Sequence, residues 1–164
     1  MTGWDRALRV LSLLAVDPGL KGLTVRARSG PVRKRFEAAC ATLPLPLRRI
    51  HPALSETQLF GGLDLVATLS EGRMVQTEGL AHHPSALMLA MADRSTPHFG
   101  ARLARMLDTD AGHVLILLDE SAEPEESAPA SLRERVAFEV DLSEVSWREA
   151  QAEPIAAPQV GLRS

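Results

Sequence analysis

"GLTVRARSGPVRKRF", Gly22–Phe36, decides how the rest of the chain is read. The first half, Gly22 to Arg28, alternates and branches like a β-strand. Ser29-Gly30-Pro31 then opens a helix, with Pro31 suited to its first turn because the missing N–H has no partner there anyway. A strand, a short turn and a helix in that order are where a phosphate-binding loop sits. The loop template is G-x-x-x-x-G-K-[ST]: its glycines let backbone N–H groups wrap phosphate, its lysine neutralises charge and its hydroxyl holds magnesium. Laid after this strand, the template falls on Ala27, Val32, Arg33 and Lys34. Neither glycine is present, arginine replaces lysine, and lysine replaces the hydroxyl. Arginine still holds phosphate, but Val32 brings a branched side chain where backbone must approach a nucleotide, and the magnesium ligand is gone. An ordinary strand–turn–helix with surface arginines is the competing reading.

Working outward, Thr2 and Asp5 form a helix-capping pattern ahead of an apolar stripe at Trp4, Leu8, Leu11 and Ala15, which Asp17-Pro18-Gly19 ends. "LPLPLRRIHP" is interrupted by proline, so Leu47 to Ile50 reads as a short edge strand. Ser55 and Gln58 repeat the capping pattern. "LDLVATL" and "RMVQT" flank Ser70-Glu71-Gly72 and read as a hairpin between Leu63 and Thr77. "SALMLAM" (Ser85–Met91) and "HVLILLDE" (His113–Glu120) read as buried strands. Between them Thr96-Pro97 caps a helix with Phe99, Leu103 and Leu107 on one face. Ser131 to Arg135 reads as a short helical turn, and "VAFEVDL" as the last strand. Strands alternating with helices predict an α/β three-layer sandwich around a mostly parallel five-stranded sheet. Residues 1–147 are expected to form the core domain. Residues 148–164, rich in Pro and Ala, are expected to be a linker or tail.

Composition narrows the function classes. With 45% hydrophobic residues in 164, the chain can bury a core. Its net charge of −3 gives no overall basic excess for nucleic acid, although Arg26, Arg28, Arg33, Lys34 and Arg35 cluster locally. The one cysteine, Cys40, excludes an internal disulfide framework and falls on the apolar side of a helix, as a buried thiol does. No apolar stretch reaches the ~18–20 residues of a membrane span, and the N-terminus lacks a signal pattern, so a cytoplasmic protein is expected.

Other chemistry is sparse. Asp119-Glu120 ends an apolar strand, as in a Walker B template where Asp assists magnesium and Glu activates water; any parallel strand ending at a sheet rim looks similar. His82-His83 is a metal-like pair, but neighbours on a strand point to opposite faces, so a loop or surface role is expected. His51 and His98 have no partner at ligand spacing, and Glu123, Glu125 and Glu126 read as a solvated acidic loop. No metal site is expected.

Several stretches together resemble one family. "WDRALRVLSLLAVDPGLKGLTVRARSGPVRKRF", "LRRIHPALSETQLFGGLDLVATLSEGR" and "LLDESAEPEESAPASLRERVAFEVDLSEVS" are similar to the N-terminal AAA+ domain of the magnesium chelatase D subunit, over about Trp4 to Ser146. The resemblance implies a P-loop-type AAA+ fold with an inserted hairpin and degenerate Walker motifs. It places Ala27, Val32, Arg33 and Lys34 in the nucleotide loop. It puts Met91 and Ala92 where an active subunit carries Walker B acids, and moves Asp119-Glu120 to the following, sensor-bearing strand. It also lands Arg135 on an arginine finger serving a neighbour's nucleotide in trans, with Arg133 the nearby competitor; a helix-end arginine paired with Glu134 or the acidic loop is the alternative. The implied role is an assembly platform for the I-subunit ATPase, alongside the H subunit, in ATP-driven insertion of Mg²⁺ into protoporphyrin IX for (bacterio)chlorophyll. ATP and Mg²⁺ are then used by the complex, with no cofactor held tightly by this chain. Full D subunits continue into a helical lid, an acidic linker and an integrin-I-like domain, so a fragment or truncated form is expected. An active hydrolase using Arg33, Lys34, Asp119 and Glu120, and a pure interaction domain, remain as rivals.

Overall fold

In the computed structural model, residues 2–109, 111–123 and 126–152 are described. Seven strands and seven α-helices order them: α1 (Gly3–Val16), β1 (Gly22–Arg26), α2 (Pro31–Cys40), β2 (Leu47–Ile50), α3 (Glu56–Phe60), β3 (Gly62–Leu63), α4 (Leu65–Glu71), β4 (Gln76–Thr77), β5 (Ala86–Leu89), α5 (Pro97–Asp108), β6 (Val114–Asp119), α6 (Ala130–Arg133), β7 (Phe138–Asp141) and α7 (Trp147–Ala152). Five strands form a wholly parallel sheet in the order β2-β5-β6-β1-β7.

The apolar run of β6 explains the layering. Val114, Ile116 and Leu118 join a cluster with α1 and α2, including Trp4, Leu14 and Phe36. Leu115 and Leu117 turn the other way, into a cluster with Phe99, Leu103 and Leu107 of α5. A strand alternates its faces, so a strand covered on both sides must be apolar at every position. The first five residues of β6 are apolar and buried accordingly, and the buried Asp119 ends the strand. By contrast β2 lies at the sheet edge, and its Arg48 and Arg49 are exposed.

Local signals act as the sequence suggests at three helix starts. Thr2 and Asp5 cap α1 reciprocally, Ser55 and Gln58 do the same for α3, and the Thr96 hydroxyl accepts from the Phe99 amide. At the far end of α5, the Lys21 ammonium donates to the Leu107 carbonyl at 2.6 Å, a cation where the helix dipole favours one.

Two readings need correction. The hairpin is present, but its strands are two residues each, pairing Gly62 with Thr77 and Leu63 with Gln76. Most of the "LDLVATL" run is helical instead. Asp64 caps α4 by accepting from the Ala67 amide, and left-handed Gly72 ends it, so local capping outweighs the branched residues' strand preference. The stretch from 148 onward also begins folded: α7 docks on α2, with Ala150 buried and the Arg35 Nε donating to the Ala150 carbonyl at 2.5 Å. The expected tail beyond 152 lies outside the described residues.

Candidate functional site

The carboxyl ends of β1, β6 and β7 meet at the crevice where open parallel sheets hold ligands. Residues 27–30 link β1 to α2. The Ala27 amide donates to the Asp119 carbonyl at 3.0 Å, extending the sheet by one bond. That donor is therefore turned away from any phosphate. Pro31 contributes no N–H to the helix start, and the Val32 side chain packs against the α1–α2 core. The cleft over this loop is ≈ 170 Å³, below the roughly 300–1,000 Å³ of pockets that enclose a small ligand.

Arg33 points into the crevice and forms an ion pair with Glu120 at the end of β6, whereas Lys34 is exposed. The larger neighbouring cleft, ≈ 340 Å³, is lined by the carboxylates Asp119, Glu120, Asp141 and Glu144 and by the guanidiniums Arg26 and Arg28. That balance repels a triphosphate unless magnesium intervenes. Burial raises the Asp141 carboxyl, but the Ser143 hydroxyl and amide and the charge of Arg26 outweigh it, so the group sits below its ordinary range.

Asp119 is also committed. Its Oδ1 accepts from the Ser121 amide at 2.8 Å and from the Ser121 hydroxyl, and its Oδ2 accepts from the Ala128 amide at 3.2 Å. A buried carboxylate holding loop donors in this way ties Ser121 and Ala128 to the end of β6. The strand before it, β5, ends at Leu89 and is followed by Ala90, Met91 and Ala92, with no acid at Met91 or Ala92. Asp93 follows, and it accepts from the Glu120 amide at 3.2 Å.

Arg135 lies far along the chain from its partner. Its Nε and Nη2 donate to the two oxygens of Asp108 at 2.9 and 3.1 Å, and its Nη1 donates to the Ser131 carbonyl at 2.8 Å. Among the described residues the partner is thus Asp108 at the end of α5, not Glu134. The hydrogen bonds from Arg135 hold the Asp108 carboxyl below its ordinary value. Arg133 is exposed. Cys40 is fully buried, and desolvation pushes its thiol far above the usual range, which removes it as a nucleophile.

Three histidines carry more than their local sequence signalled. Buried His113 accepts from the Ser85 amide at 3.2 Å and lies 3.3 Å from the Ala81 carbonyl. Desolvation lowers its pKa against the opposing effect of those hydrogen bonds. His82 and His83 do not point to opposite faces, as strand neighbours do. A 3-10 turn, Leu80–His82, brings both to Glu78.

Comparison with known proteins places this geometry. The chain is 49% identical over 147 residues to the magnesium-chelatase 60 kDa subunit of Cereibacter sphaeroides, and 45% identical over 144 residues to that of Rhodobacter capsulatus. The chain is a homologue of one part of the magnesium-chelatase 60 kDa subunit. The matches cover 89% and 86% of this chain but 26% of each relative's length. A magnesium-chelatase 67 kDa subunit from Chlorobaculum parvum matches about half the chain at 36% identity. No protein-family model matches. Among solved structures, a candidate ATPase from Cytophaga hutchinsonii superposes with a TM-score of 0.60 at 14% identity, covering 86% of this chain and 47% of that one. A chain from a 7.5 Å single-particle description of the complex between the BchI and BchD subunits of magnesium chelatase superposes with a TM-score of 0.59 at 19% identity, covering 93% of this chain and 64% of that one. These likenesses bear out the α/β fold with its parallel five-stranded sheet. Among the described residues, no helix is long and apolar enough to cross a membrane.

Proposed function

We propose that this chain is the degenerate AAA+ module of a magnesium chelatase D-type subunit. It serves as an assembly platform for the I-subunit ATPase, in a cytoplasmic complex that also includes the H subunit. The complex inserts its substrate ion, Mg²⁺, into protoporphyrin IX at the cost of ATP, and this chain does not hydrolyse nucleotide by itself. The observation that carries the last point is the pairing of Arg33 with Glu120 across the loop. The one cation placed where a phosphate-loop lysine would reach is already neutralised from within. Met91 and Ala92 leave the neighbouring strand end without the acids that position magnesium and water. The homology to the 60 kDa subunits and the fold shared with a chain of the BchI–BchD complex support the choice of partner. Magnesium needs a driven process because it sheds its water shell reluctantly.

Ala27, Val32, Arg33 and Lys34 are proposed to keep the loop's place without its chemistry, so that neither ATP nor magnesium is held tightly. Arg135 is proposed to act in trans on a neighbour's nucleotide. To do so it must release Asp108, so a partner's phosphate has to outcompete a two-point ion pair. Mixing Arg135→Ala chain with the I subunit tests this role. A finger of this kind is worth roughly 10³–10⁵ in rate elsewhere, so the ATPase attributable to the mixed interface should fall steeply while assembly persists. Unchanged hydrolysis and unchanged assembly would leave the interaction role alone. Calorimetry with ATP–Mg²⁺ on the isolated chain, expected to show no tight binding, tests the loop. Turnover of ATP by that chain, lost on Asp119→Asn, would restore the hydrolase reading.

A further inference from the structure

Glu78, His82 and His83 converge at the base of the inserted hairpin, outside the crevice. The His82 Nε2 lies 3.6 Å from one Glu78 oxygen and the His83 Nε2 lies 3.1 Å from the other. The two rings meet edge-on, 4.7 Å between centroids at 86°. One ligand atom from each of the three residues falls within 4.8 Å of the others. Around a tetrahedral ion with bonds of about 2.0–2.2 Å, ligand atoms stand roughly 3.3–3.5 Å apart. The side chains therefore need to close by about 1.5 Å at most.

The backbone beneath them is fixed. A Cβ on Gly79 would sit 2.2 Å from the Gly61 nitrogen, so the segment after Glu78 is pressed directly on the end of α3. The His82 amide donates to the Gly79 carbonyl at 3.0 Å. Buried His113 braces the Ala81 carbonyl and the Ser85 amide from below. Only rotamers of three exposed side chains remain to be set. A single hydrogen bond between His83 and Glu78 explains one imidazole; it does not explain why a second is brought to the same carboxylate.

We propose that Glu78, His82 and His83 form a binding site for a borderline divalent transition-metal ion, Zn²⁺ being the best fit, with water completing its coordination. Two imidazole nitrogens and one carboxylate suit such ions, whereas magnesium takes oxygen ligands and keeps its waters. The site is thus chemically separate from any handling of Mg²⁺. An ion here ties the end of β4 to the approach of β5, clipping the hairpin to the sheet.

The test titrates the tag-free, metal-stripped chain with Zn²⁺ by calorimetry and with Co²⁺ by visible absorption. One ion per chain is expected, with a tetrahedral Co²⁺ spectrum and no heat from Mg²⁺. His82→Ala and His83→Ala should each weaken Zn²⁺ binding by at least about tenfold, the lower bound set by losses of even outer-shell partners. Circular dichroism checks that these exposed substitutions leave the fold intact. No Zn²⁺ binding at 100-fold molar excess, or a doubly substituted chain binding as tightly as the original, overturns the proposal.

Discussion

The crevice at the strand ends and the inserted hairpin differ in how their side chains are partnered. In the crevice, Arg33 is matched by Glu120, and Asp119 is matched by Ser121 and Ala128. At the opposite, amino end of the strands, Arg135 is matched by Asp108. On the hairpin, Leu65, Val66, Leu69 and Met74 stand 65–84% exposed, and the Glu78–His82–His83 group has room for a further ligand. A site built for chemistry leaves polar groups poised toward a substrate. Here the poised groups are turned on one another, and the unspent surface lies on the insertion. The difference fits a chain that contributes contacts to an assembly rather than turnover of its own.

The largest effect expected from this contrast is in the crevice. Asp119→Ala strands buried donors of Ser121 and Ala128, so it should cost about 2–3 kcal/mol in denaturant unfolding. A neutral result would show that Asp119 is free for other work and would break the comparison. His113, where the hairpin base meets the core, comes next. Its folded pKa is lowered, so the folded chain binds its proton less readily than the unfolded chain does. The stabilisation is complete above the ordinary histidine value near 6.5 and is lost progressively as pH falls below it, through the folded value. Unfolding midpoints measured from pH 8 to pH 5 should show this decline, and His113→Gln should flatten that part of it.

Glu120→Gln is a smaller change. It frees Arg33 and removes one of the crevice carboxylates, so inorganic triphosphate should bind about fivefold more tightly, the equivalent of losing one ~1 kcal/mol charge contact. Unaltered binding would mean that the shape of the loop, and not the ion pair, sets the limit. The smallest effect on stability belongs to the hairpin. Leu69→Ser removes an exposed apolar side chain and should shift unfolding by no more than about 0.5 kcal/mol, while weakening co-sedimentation with the I subunit if this face makes the contact. A large loss of stability would place Leu69 in the core and dissolve the distinction between the two regions.

Much of the fold could be read from neighbouring residues. Caps at Thr2, Ser55 and Thr96 act within one helical turn, and the edge position of β2 follows from its flanking prolines and its arginines. Helix α4 was less legible, because Leu65, Val66 and Thr68 look like a strand until Asp64 and Gly72 are seen to cap them. In the site, the departures from a phosphate loop at Ala27, Val32 and Arg33 were visible as residue types, but the partner of Arg33 was not. The surface position of the histidine pair was legible, but its convergence on Glu78 was not, because a 3-10 turn and not a strand sets the two rings.

By itself, the sequence determined the alternation of strands and helices, the apolar content of β6 and the loss of the loop's glycines and magnesium ligand. These depend on residue type and on hydrogen bonds that span four residues or fewer. The tertiary structure alone decided that Glu120 neutralises Arg33 and that Asp108 holds Arg135, and the structure also showed that two histidines share Glu78. The first two pairings depend on which strand lies beside which and where each helix ends, and the third depends on a local turn. A charge 27 residues away along the chain becomes a neighbour only after the core has packed.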